Sequence, residues 1–222
     1  TAATIRAILV SRLKADRAEG GANITGKQEW IDKVVIQPLY DVNTTLARFL
    51  LLLAFHDSVD TDDGKLVAGK EGSHATLTFN AWTDDRYLTV EHIAPQSKPN
   101  GWASDLYQDE EFERLGNLTL LPLNANQSLS DRLWEHKRKL FGALAATTAA
   151  EAVQILEQLK ASGVDLSKVA DSIHSGHYLP HVRALSKVTP PWDLTAVDSR
   201  GRELADLAWR RLAPWLDLSP FA

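Results

Sequence analysis

Four polar residues near the middle of the chain have the types and order that phosphodiester hydrolysis calls for. Glu91 and His92 end the run Tyr87-Leu-Thr-Val-Glu91-His92-Ile-Ala-Pro95-Gln96, and Asn117 follows Gly116 just before Leu118-Thr-Leu-Leu121. Asn126 precedes a basic amphipathic run, Leu133-Trp134-Glu-His-Lys137-Arg138-Lys-Leu140. Such hydrolysis needs an activated water, charge stabilisation on the phosphate and help for the departing oxygen. A histidine can deprotonate water near neutral pH, because its unperturbed pKa is about 6.5. One hard cation held by carboxylate and amide oxygens plus waters can supply the rest. His92 is therefore expected to be the general base, with Glu91 and Asn126 as metal ligands. Asn117 is expected to hydrogen-bond the His92 ring and fix its tautomer, a role an acidic residue plays for other catalytic histidines. Lys137 and Arg138 are the expected phosphate contacts.

Two short strands and a helix must position these groups. Residues 86–92 are β-branched and aromatic and end at Pro95, 118–121 form a second strand ended by Pro122, and a helix capped by Asn126 or Ser128 carries Leu129, Leu133, Leu140 and Phe141 on one face. Neighbours on a strand point to opposite faces, so Glu91 and His92 reach one cleft only if the strand end twists or bulges. Residues 109–115 read as a short helical segment. The flanks read as helices. Ile5 to Leu13 has helical apolar spacing, and Trp30 to Leu39 carries a second apolar face. A third helix starts at an Asn43 or Thr44 cap and runs to Phe55. Residues 57–72 are polar and glycine-bearing, which predicts a loop. Alanine- and leucine-rich 149–159 and the final 196–216 are helices again. The expected organisation is a helical flank over 1–85, the strand-strand-helix element over 86–142 and a second helical flank over 143–222, together one compact domain.

Composition narrows the class. Seven tryptophans and an apolar fraction of 44% mark a folded chain. No apolar run approaches the roughly 18 residues that span a bilayer. Without cysteine there is no disulfide and no thiolate zinc site. No secretory signal pattern opens the chain, so the cytoplasm is the expected compartment. The chain starts Thr1-Ala-Ala-Thr and has no methionine, which leads us to expect a fragment of a longer polypeptide. Its net charge of −5 is not the basic footprint of a stand-alone DNA binder, so delivery to substrate by other regions or a partner is expected.

The pattern Glu91-His92-Ile-x-Pro95-Gln96, Leu115-Gly116-Asn117-Leu-Thr-Leu-Leu, Asn126 and Trp134-x-x-Lys137-Arg138 resembles a known family. It is similar to the HNH-type (ββα-metal) endonuclease domain at the C-terminal end of GmrSD-type modification-dependent restriction proteins. The phosphorothioate-sensing antiphage effector SspE has the same kind of C-terminal half. The resemblance implies a mainly α fold with a small ββα-metal (HNH) element, α+β in class. It assigns Glu91 and Asn126 to the metal, His92 to the general base and Asn117 to the middle asparagine of the HNH name. Many relatives have a further histidine where this chain has Ser130, which favours Mg²⁺ or Mn²⁺ over Zn²⁺ or Ni²⁺. An N-terminal NTPase-like sensor domain of the same polypeptide is implied as well.

Other features compete for attention. His174, His177 and His181 have metal-ligand spacing, but Gly176 and Pro180 interrupt the helix this spacing presumes, so a polar surface or a phosphate contact is the better expectation. Arg200, Arg202, Arg210 and Arg211 alternate with Glu203 and Asp206, which reads as a solvated helix face. Trp102, Trp192 and Trp215 read mostly as core or staple residues. The reading is a metal-dependent DNA endonuclease or nickase domain of a bacterial restriction or antiphage defence effector, acting on double-stranded DNA. Two alternatives stay open: a catalytically silent module that grips nucleic acid or protein, and an RNA-cleaving nuclease of the same chemistry.

Overall fold

The computed structural model describes residues 1–167, 179–189 and 191–218. Before the first site residue come α1 (Ala2–Lys14), α2 (Lys27–Val34), α3 (Leu39–Val42), α4 (Thr44–Phe55), the pair β1 (Ser58–Asp60) and β2 (Leu66–Ala68), and α5 (Phe79–Thr83). The site element follows as β3 (Thr89–His92), β4 (Leu118–Leu121), α6 (Leu123–Leu129) and α7 (Trp134–Leu144). Then come α8 (Ala149–Ala161), α9 (Pro180–Lys187) and α10 (Leu194–Trp215). The protein is mainly helical with two small antiparallel strand pairs, an α+β arrangement as its sequence implies.

Two helices build the core. α4 is apolar over most of its surface and starts where Asn43 accepts a hydrogen bond from the Leu46 amide, 2.9 Å away. Its residues from Leu50 to Phe55 are all buried, as an all-round apolar helix requires. α10, capped by Asp193 on the Ala196 amide, lies along α4, α2 and the 3₁₀ turn Leu115–Asn117. There Trp209 packs against Trp30, whose Nε1 donates to the Ala205 carbonyl at 3.0 Å. α9 packs on α7 and on the β1–β2 hairpin, where Lys187 donates to Asp60 at 2.6 Å.

Three expectations about elements are corrected. Residues 57–72 contain the β1–β2 hairpin, turned at Gly64 with φ 81°; its strands have three residues each, too few for alternation to show. The 109–115 segment is 3₁₀ rather than α, with turns at Glu111–Glu113 and Leu115–Asn117. Asn126 and Ser128 cap nothing, because they lie inside α6. The chain breaks into two helices at Ser130, whose φ of 44° and ψ of −138° end α6 before α7 begins.

Candidate active site

β3 and β4 pair antiparallel with Glu91 opposite Thr119 and His92 opposite Leu118. Strand alternation sends the two side chains apart, and no bulge reunites them. Glu91 meets Lys137 of α7, whose Nζ donates to its Oε1 at 2.7 Å and to the His92 carbonyl at 2.9 Å. Both partners are buried, Lys137 completely. Burial pushes the Glu91 carboxyl up and the Lys137 ammonium down, and each opposes that shift in the other. Lys137 is therefore not a phosphate contact. It is an internal counter-ion that ties α7 to the end of β3.

His92 has a different set of neighbours. Its Nε2 lies 2.9 Å from Glu113 Oε2, and Gln96 Nε2 donates to Glu113 Oε1 at 2.9 Å. Burial alone would raise the Glu113 carboxyl, but the hydrogen bonds from His92 and Gln96 bring it below its ordinary value. Glu113 is thus an anion at neutral pH and can only accept, which places the ring proton on Nε2. The Tyr40 ring meets His92 edge-on with centroids 4.4 Å apart. Only 7% of His92 is exposed, so its ring is held on several sides.

Asn117 does not touch the His92 ring. Its Oδ1 accepts from the Ala94 amide at 2.8 Å and from Trp192 Nε1 at 3.0 Å. Its Nδ2 donates to the carbonyls of Ala94 and Phe112, both at 2.8 Å. The side chain is fully buried and satisfies backbone groups that water cannot reach. It pins the loop after His92 to the turn carrying Glu113, so it sets the histidine and its carboxylate partner at one spacing. The expected tautomer-fixing role passes to Glu113.

Asn126 and Arg138 complete the set. Asn126 Nδ2 donates to Thr89 Oγ1 at 3.1 Å and to the Val90 carbonyl at 3.2 Å. Arg138 donates to the Ser186 carbonyl at 3.2 Å, an α7–α9 tie rather than an open phosphate contact. Among the described residues, no group of three or more His, Cys, Asp or Glu side chains gathers where a metal ion could bind. The oxygens present are nevertheless of the hard kind. Asn126 spends its amide hydrogens on β3 and leaves Oδ1 as an acceptor, and Glu91 is a carboxylate one residue beyond Val90. Mg²⁺ usually takes one or two carboxylates and keeps several waters; these oxygens are of that kind, but Glu91 is free for an ion only once it leaves Lys137.

A profile described as GmrSD restriction endonucleases, C-terminal domain, matches residues 6–207. The chain belongs to this family. The match takes in both helical flanks along with the four motif blocks. No curated protein matches the chain. In this GmrSD C-terminal domain no helix of the described residues is long and apolar enough to cross a membrane.

Beyond the motif, the GmrSD domain uses several conspicuous residues as structure. His181 is fully buried, stacked on Phe55 with centroids 4.1 Å apart and bonded through Nε2 to the Leu120 carbonyl at 3.1 Å. It is neither a surface group nor a phosphate contact; His174 and His177 lie outside the described residues. Arg200 departs from the expected solvated face. It is buried and donates to the carbonyls of Gly116 and Leu118 at 2.7 and 2.8 Å. Arg202 and Arg210 do lie on that face, paired with Asp198 and Asp206. Trp102 and Trp192 are buried as expected, whereas Trp215 is 49% exposed.

Sequence reasoning missed Glu113, Tyr40, Trp192 and Arg200 as parts of the site's frame. Four acids, Asp109, Glu110, Glu111 and Glu113, precede Gly116. Nothing in their spacing picks out the last one until the 3₁₀ turns are known. Gln96 was visible in the motif, but its role as a clamp on Glu113 was not.

Proposed function

We propose that this domain is a DNA endonuclease that nicks one strand at a time, with His92 as its general base, and that it serves a bacterial restriction or antiphage effector. The observation that carries this reading is the buried His92–Glu113 pair, fixed by Gln96, in a chain of the GmrSD family. With its Nε2 proton donated to Glu113, His92 presents the Nδ1 lone pair to a water. As that water loses its proton, the imidazolium that forms is stabilised by the Glu113 carboxylate. Lys137 fixes the His92 carbonyl from below, and Asn117 holds the next turn, so the ring needs little reorganisation. Glu91 and Asn126 Oδ1 are the groups that would hold Mg²⁺ or Mn²⁺, which requires the Glu91 carboxylate to leave Lys137 and turn to the side of β3 that His92 faces. When bound, such an ion supplies charge stabilisation to the phosphate and the departing oxygen. A single base serves a single strand, so one copy nicks. Double-strand breaks need two copies or two visits.

The test is conversion of supercoiled plasmid to open circles with Mg²⁺ or Mn²⁺, with EDTA and His92→Ala as controls. Metal-dependent nicking should vanish in the variant. A variant that cleaves as fast as the parent protein would sink the assignment of His92. The Lys137–Glu91 contact favours a second reading, a silent binding module, because the carboxylate already has a counter-ion. Calorimetric titration with Mn²⁺ separates the two. The nuclease should show binding that Glu91→Gln weakens, and the silent module should show none.

A further inference from the structure

Lys137 is buried on Glu91 and Arg138 spends one N–H on the Ser186 carbonyl, so a further cation beside the site is worth seeking for the substrate's charge. A cleft of about 390 Å³ opens between the start of α4 and β3, lined by Tyr40, Thr45, Arg48, Trp82, Thr89 and Asn126 among others. It adjoins both halves of the proposed site, because Asn126 lies in its wall and Tyr40 also touches His92.

Among the described residues that line it, Arg48 is the only positively charged one. Its Nε donates to the Tyr87 carbonyl at 2.8 Å and its Nη2 to the Trp82 carbonyl at 2.5 Å. The guanidinium also sits over the Trp82 ring, 4.5 Å from its centroid. These contacts hold it in one orientation but supply no negative charge. No carboxylate of the described residues pairs with Arg48, unlike Arg202, Arg210 and Lys187. Burial lowers its pKa. A part-buried, preorganised cation without a counter-ion favours binding of an anion. Thr44 and Thr45, at the positive end of the 12-residue α4, add hydroxyls and a favourable dipole.

We propose that this cleft is a phosphate-binding subsite for the nucleic-acid backbone, with Arg48 as the anchoring group and Thr45 at its rim. The proposal rests on the nuclease reading for its choice of substrate, while its geometry stands without it. A phosphate on Arg48 would lay the strand past Asn126 and towards Tyr40 and His92.

The test reads binding rather than cleavage. Anisotropy of a short fluorescein-labelled DNA duplex is followed in EDTA across a sodium chloride series, using the parent protein, Arg48→Gln, Arg48→Lys, Thr45→Glu and His92→Ala. Arg48→Gln should weaken binding about tenfold at low salt and flatten the slope of log K against log salt by about 0.9, the loss of one phosphate contact. Arg48→Lys should recover part of both. Thr45→Glu puts a carboxylate one helical turn before Arg48, where it neutralises the guanidinium or repels a phosphate; either weakens binding, so the test holds even if Arg48→Gln fails to fold. Parent-like affinity and salt slope in folded Thr45→Glu and Arg48 variants would overturn the subsite, as would a parent protein that does not bind the duplex. His92→Ala serves only to read cleavage in parallel. Should that variant still cleave DNA, the nuclease reading fails while these binding results stand.

Discussion

Glu113 decides which nitrogen of His92 carries the proton, and with it which nitrogen can work as a base. A carboxylate cannot donate, so the 2.9 Å contact fixes Nε2 as the protonated atom. Glu113→Gln keeps the shape but can offer either an amide N–H or an oxygen, so the ring is no longer held in one form. We expect nicking to fall about 100-fold, within the range for loss of acid–base assistance, with duplex affinity unchanged. Long-range proton–nitrogen NMR of His92 should show one tautomer in the parent and a mixture in the variant. A purely structural Glu113 would leave the tautomer alone. Glu91, His92, Asn117, Asn126 and Lys137 were all visible in the sequence as polar residues in an ordered motif. Their partners were not, because a side chain's partner depends on which face of a four-residue strand it leaves by.

The elements that frame the site meet at close quarters. Gly116 lies against α10, where an added Cβ would collide with the Val197 carbonyl and crowd the Gly201 amide. Arg200 meanwhile grips the carbonyls on either side of Asn117. Glycine is needed here for proximity, not for an unusual φ. Gly116→Ala should push α10 off the β4 turn and cost on the order of 1–3 kcal/mol, the range for overpacking, read by urea denaturation. Parent-like stability would mean that the helix shifts freely. Helices such as α1, α4, α8 and α10 were legible from their apolar spacing or composition, α4 also from its Asn43 or Thr44 cap. The β1–β2 hairpin was hidden by its shortness, and the α6–α7 break at Ser130 has no glycine or proline to announce it. α9 is likewise short and follows a stretch where Gly176 and Pro180 obscure the pattern.

Across the whole molecule, pH acts through the core as well as the site. His181 is fully buried and neutral, its pKa pulled down to about 3 chiefly by desolvation. The unfolded chain, with a histidine pKa of about 6.5, binds a proton more readily than the native state between those two values. Stability therefore rises with pH through that window and is lost as pH falls below about 6.5. Between pH 6.5 and 5 the loss should be about 2 kcal/mol from this residue. His181→Phe preserves a ring on Phe55 and removes the titration, so its melting temperature should depend less on pH in that interval. An equal dependence in both proteins would assign the acid sensitivity to other groups.

Trp192 and Arg200 reach back from the C-terminal third of the sequence to hold Asn117 and its neighbours. The active segment is consequently not a portable cassette. A graft limited to residues 86–142 would include every proposed catalytic and metal-binding side chain, yet lack the indole and guanidinium that set their spacing. A shortened gene ending before α10 would keep the proposed chemistry and Trp192 but lose Arg200, which ties the carbonyls on either side of Asn117. For anyone building fusions or minimal nucleases from this chain, the practical boundary is drawn by that last helix.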